Sequence, residues 1–115
     1  MNAPFNYIVN PQIVVPGQFA NGLWTAMLPS AIYDRRLLGI NVQGPVGSKA
    51  LVYLGTVTPA NLVDQTLRGQ SNTADYSGGS IIVQRSSIIT VQWIPQGGTF
   101  TGAEIVSATF RVGQA

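Results

Sequence analysis

Few residues in this 115-residue chain are equipped for chemistry, and their spacing narrows the choice further. Ser48 precedes Lys49, and a desolvated amine can deprotonate a hydroxyl to make a serine nucleophile. Neighbours on a strand point to opposite faces, however, so this pair converges only across a turn. A loop serine beside a solvated lysine is the simpler expectation. Paired carboxylates could serve glycoside hydrolysis, but the chain has only Asp34, Asp64, Asp75 and Glu104. The first three fall in expected loops. Asp34 is expected to answer Arg35 or Arg36, Asp64 to cap a helical turn, and Asp75 to organise its own loop. Asp64, Asn72, Thr73 and Asp75 offer oxygens, yet their spacing fits no calcium loop. Gly78-Gly79 and Gly97-Gly98 lack the lysine of a phosphate-binding loop and open no helix, so they are read as turn glycines. Tyr7, Tyr33, Tyr53 and Tyr76 are scattered without the pattern of a stacking platform. His and Cys are absent, and imidazole, thiolate and disulfide chemistry go with them. No catalytic residue, cofactor or metal is expected.

The elements that would carry these residues are strands. Val, Ile and Thr supply 31 residues against one Glu and one Lys, with 13 Gly and 7 Pro as punctuation. Residues 104–112 alternate, with Val106, Ala108, Phe110 and Val112 on one face. Residues 88–94 do the same through Ile89, Val91 and Trp93. Residues 49–57 are apolar on both faces, which predicts a central strand or one covered by a neighbour. Further strands are expected at 23–28, 37–43 and 81–84, with Asn21-Gly22 making a tight hairpin. In residues 58–69 a cap, a proline and a closing Arg-Gly predict a two-turn helix or a structured loop. The expected fold class is all-β: an antiparallel β-sandwich or jelly-roll-like barrel of seven to eight short strands, in a single domain. The expected core is Leu23, Trp24, Leu38, Ile40, Val42, Val52, Leu54, Ile81, Val83, Ile89, Val91, Trp93, Val106, Phe110 and Val112.

Charge is sparse. Ten charged residues stand against 33 Asn, Gln, Ser and Thr, with 45% of the chain hydrophobic. Such a surface lacks the scattered charge that normally keeps proteins apart, so assembly is favoured over catalysis. Arg35-Arg36 is the only adjacent basic pair, which leaves no footprint for nucleic acid. No run of residues suits a membrane helix, and the first residues do not read as a secretion signal. Two segments are candidates for partner contact. Residues 70–79 are small and polar and read as an exposed loop, offering Asp75 and Tyr76. Residues 1–22 read as a proline-punctuated, extended N-terminal arm, and within residues 1–18 Phe5, Tyr7, Ile8, Ile13 and Val14 must dock somewhere, either on their own sheet or on a neighbour.

Leu51-Val52-Tyr53-Leu54-Gly55, Asp64-Gln65-Thr66-Leu67-Arg68-Gly69, Thr73-Ala74-Asp75-Tyr76 and Val91-Gln92-Trp93 together resemble small virion proteins of tailed bacteriophages. The resemblance spans residues 51–112. It implies a β-sandwich module of the kind that decorates heads or builds tails, oligomeric and non-enzymatic, with no catalytic residue to carry over. On that basis the expected role is a capsid decoration or cement protein on the virion surface. Its partner would be the major capsid protein, and a homotrimer is the expected state. A tail or fibre module, with carbohydrate binding, is the alternative.

Overall fold

The computed structural model describes residues 12–65, 72–76 and 81–114. Two antiparallel sheets face each other. The first has the order β1 (Gln12–Pro16), β10 (Ser107–Gln114), β4 (Arg35–Gln43) and β7 (Asn72–Asp75), with β8 (Ile81–Val83) also paired to β4. The second has the order β2 (Gln18–Ala20), β3 (Leu23–Leu28), β9 (Ile89–Pro95), β5 (Ser48–Leu54) and β6 (Leu62–Gln65). The pairings nest: β1 with β10, β3 with β9, β4 with β7 and β8, β5 with β6. This is one long antiparallel hairpin wrapped around a core, the connectivity of a jelly roll. The ten strands come from eight runs of chain, because β1–β2 and β7–β8 each divide one run, and they occupy four positions in the first sheet and five in the second. The expectation of seven to eight is thus short by the two divisions.

Gly17 makes the first division. It lies between β1 in one sheet and β2 in the other, and its N–H bonds the Val106 carbonyl at 2.7 Å. A Cβ here would come within 2.7 Å of Val106 Cγ1 and 3.1 Å of Trp24 Cε3. Only glycine lets the chain cross so close to the core. The Asn21–Gly22 hairpin forms as expected, with φ of 54° and 78°, the left-handed pair of a two-residue turn.

Four expectations change. Of the expected helix or loop at residues 58–69, the described residues 58–65 make no α-helix: a single 3-10 turn (Pro59–Asn61) leads directly into β6. Helix nucleation fixes several residues for one hydrogen bond, whereas the open edge of β5 offers a ladder at once. Residues 72–75 of the expected loop are strand β7, paired to β4. Leu37, not Leu38, is buried, because the β4–β10 register slips at Arg111/Val112 and reverses the inward parity. Leu23 leaves the core for a simpler reason. It precedes Trp24, which is buried, and consecutive strand residues cannot share a face.

The rest of the expected core is in place, with Trp93, Phe110, Val91 and Val83 fully enclosed and Leu54 and Ile81 packed at its margin. Large apolar side chains of this kind contribute roughly 1.5–3 kcal/mol each when fully buried. Both tryptophans belong to this core, side by side in the β3–β9 register.

Candidate functional site

The outer faces of the two sheets are chemically unlike. On the first sheet the register sets Val14, Thr109, Asn41 and Thr73 in one row across four strands. Gln12, Arg111, Gly39 and Asp75 make the next row. Between them runs a shallow groove of about 110 Å3 walled by amides, hydroxyls and the Arg111 side chain. The Arg111 guanidinium reaches the Leu38 carbonyl at 3.3 Å and Asp75 at 3.4 Å. It lies over Gly39, whose missing Cβ would meet it at 3.1 Å. Asn41 donates to the Thr73 hydroxyl at 2.6 Å. These groups present hydrogen-bond donors and acceptors, and Asp75 offsets the arginine's charge.

The second sheet turns Leu23, Met27, Ile94, Leu51, Tyr53 and Leu62 outward, interleaved with Gln18, Thr25, Thr90, Gln92 and Gln65. Lys49 is the one charge on this face among the described residues. Leu51 and Tyr53 are already buried by their neighbours, while Met27 is half exposed. The two-faced apolar strand read from residues 49–57 is real as far as Leu54, where β5 ends before the bend at Gly55, and it lies inside its sheet, between β9 and β6.

Of the expected contact residues, Phe5, Tyr7 and Ile8 lie outside the described residues. Ile13 and Val14 sit on β1, which is docked on the chain's own β10. Residues 12–20 are thus integral strands rather than a free arm. Val14, 65% exposed, and Asp75 share the outer face of the first sheet, at opposite edges. Tyr76 goes elsewhere. Its ring packs against the core, its N–H bonds the Leu38 carbonyl at 2.7 Å, and its hydroxyl donates to Asp64 on β6. Burial, then the Asp64 carboxylate, push this phenol above its ordinary range. Tyr76 and Asp64 clasp the two sheets along one edge, so Tyr76 is a structural residue in place of a loop contact.

Other acidic residues also find partners the sequence did not disclose. Asp34 accepts the Arg85 N–H at 2.8 Å, not a bond from its neighbouring arginines. Glu104 accepts from Trp24 Nε1 at 3.0 Å and from the N–H groups of Thr101 and Gly102 at 2.8 and 2.9 Å. Led by the Thr101 bond, these donors pull its carboxyl down to about 2. Ser48 is buried and donates to the Pro45 carbonyl at 2.6 Å, while Lys49 points to the opposite face. The Ser48–Lys49 pair therefore does not converge. Such partners lie up to 80 residues away in sequence, and only the wrapped hairpin brings them together. No protein-family model matches the chain, and no curated protein is significantly similar to it.

Proposed function

We propose that this chain is a structural virion protein, a jelly-roll module that decorates and stabilises a lattice of major capsid subunits. The observation that carries the reading is the apolar outer face of the second sheet. Solvated sheet faces are normally polar, and this one interleaves Leu23, Met27, Ile94, Leu51, Tyr53 and Leu62 with the neutral Gln18, Thr25, Thr90, Gln92 and Gln65 and a single lysine. Five strands about 4.8 Å apart and some 20 Å long give a face of roughly 480 Å². A standard stable interface needs about 800 Å² from each partner. One face therefore makes a weak contact alone, and repetition over a lattice sums weak contacts into firm attachment. A homotrimer on the lattice adds its own interfaces to each copy and closes the ring.

Co-purification tests this. The protein should accompany heads at copy numbers that match lattice symmetry, and Met27→Lys should detach it without unfolding it. Recovery with tails in small multiples would replace the decoration reading with the second one, a tail or fibre module. The groove of Gln12, Asn41, Thr73, Thr109 and Arg111 favours that second reading, since amides and hydroxyls suit a neutral glycan. Sedimentation at high micromolar concentration checks the trimer, and a pure monomer on and off particles would overturn it.

A further inference from the structure

The two lateral edges of the sandwich are finished differently. At one edge β6 and β7 lie together, joined by Asp64 and Tyr76. There the Gln65 N–H is taken by the Asp64 carboxylate at 2.8 Å, and the Thr73 N–H by the Asn72 amide oxygen at 3.0 Å. Side chains of this kind occupy donors that would otherwise template another strand, and Asp64 and Asp75 add charge. The opposite edge of the first sheet is β1, Gln-Ile-Val-Val-Pro. It carries no charge and leaves Val14 and Ile13 exposed. Among the described residues no side chain caps its backbone.

The ladder shows which way that backbone points. Gly17 donates its N–H to the Val106 carbonyl, one step beyond the Pro16–Ser107 pair. Backbone groups alternate sides along an antiparallel strand, so Ile13 and Val15 also turn theirs to β10. Gln12, Val14 and Pro16 turn theirs to the open edge. The same alternation, carried across β10 and β4, turns the Leu38 carbonyl to β7, where the Tyr76 N–H meets it at 2.7 Å. The open edge thus presents the N–H groups of Gln12 and Val14 and the carbonyls of Gln12, Val14 and Pro16. Because Pro16 faces outward, its missing N–H takes nothing from the β10 ladder.

We propose that β1 pairs edge to edge with β1 of a second copy of this chain, antiparallel and about a two-fold axis through Val14. In that register Val14 exchanges both of its backbone bonds with Val14 of the second copy. Each Gln12 N–H meets the Pro16 carbonyl of the other strand. Every outward donor is used, none is asked of Pro16, and the five residues of both strands overlap end to end. Ile13 faces Val15 of the second copy on the core side, and the two Val14 side chains meet on the outer face. Such cross-strand apolar pairs stabilise a sheet. A strand without charge has no electrostatic preference for a foreign partner. Its own donors, acceptors and apolar groups fit a copy of themselves, as an isologous contact requires. The path β1-β10-β4-β7 then runs on into that of the second copy as one sheet. So short a pair buries less than the roughly 800 Å² per partner of a standard interface, which sets the association at high micromolar concentration. The contact closes at two copies, apart from the apolar face of the second sheet and from any ring of three.

The test uses the full chain. Amide exchange at Val14 should slow as protein concentration rises, and the sedimenting mass should double over the same range. The chain has no cysteine of its own. Val14→Cys should form a disulfide-linked dimer under mild oxidation, because hydrogen-bonded antiparallel partners lie about 5.5 Å apart at Cα, within disulfide reach. Val46→Cys, on an exposed loop, is the control and should cross-link far more slowly. Val14→Lys sets like charges opposite each other across the axis. At an exposed position it should keep the wild-type unfolding midpoint and weaken the doubling about tenfold or more. No doubling in wild type, doubling undiminished in Val14→Lys, or Val14→Cys cross-linking no faster than Val46→Cys would each overturn the proposal. So would slow exchange at Val14 that ignores concentration, which would show the edge to be covered within one chain.

Discussion

Glu104 shows what a single carboxylate can do in a chain with so few of them. Its two oxygens gather the Trp24 indole, two loop N–H groups and the Thr101 hydroxyl, and so tie residues 101–104 to the edge of the core. These donors hold its carboxyl near 2, below the ordinary 4.5. A depressed folded-state value means that the charged form stabilises the fold. That contribution is complete above about 4.5 and is lost as pH falls through about 2. Wild type should therefore be more stable than Glu104→Gln at neutral pH, with the gap closing towards pH 2. Urea midpoints of both proteins across that range check it. Tyr76→Phe makes a second residue-scale prediction. It removes the clasp to Asp64 but leaves the ring in its packing, so the loss should be about 1 kcal/mol, read from the same midpoints. Asp64 keeps its bond from the Gln65 N–H.

At the scale of elements, alternation was enough to find β3, β5, β9 and β10 and to assign most of the core. The pattern fails where local geometry breaks its parity. Leu37 and Leu38 are equally apolar, and only the slip opposite Arg111/Val112 decides which one is buried. It fails again at β6, whose segment reads as a capped helical turn or loop, and at β7, whose polar residues read as loop; both four-residue strands exist through the edges offered by β5 and β4. The outward apolar face was half legible, from the two-faced strand at 49–57, but Met27 and Ile94 join it only through strand order. The polar groove was not legible at all, since its residues come from four strands. Gly17 is the element whose role is easiest to test. Gly17→Ala puts a methyl against Val106 and Trp24 at the crossing between sheets. Overpacking there should lower stability by about 1–3 kcal/mol. Gly47→Ala is a useful contrast, because nothing lies within 4 Å of its added carbon, although its φ of 76° still carries strain.

For the molecule as a whole, the decisive feature is that the first described strand pairs with the last. β1 covers β10 along five residue pairs, with Ile13 opposite Phe110 and Val15 opposite Ala108 on the inward side. The wrapped hairpin is closed by its own beginning, so contacts of the greatest sequence separation form the seam. This topology favours folding in the millisecond-to-second range. It also separates the two roles weighed for the N-terminal segment. Deleting residues 1–18 removes β1 and the start of β2, leaves β10 as an open edge, and strips Val15 from the core margin. Stability should fall by roughly 3 kcal/mol or more, a large share of the 5–15 kcal/mol that holds a typical domain together. Deleting residues 1–11 leaves every described strand intact, so its unfolding midpoint should match that of the full chain. Denaturant titration of both truncations measures the difference. Particle binding by the shorter truncation then isolates Phe5, Tyr7 and Ile8. If they clamp a neighbouring subunit, a protein lacking residues 1–11 folds normally and no longer stays on particles. If it binds as firmly as the full chain, the clamp is discarded, and attachment rests on the outer sheet face.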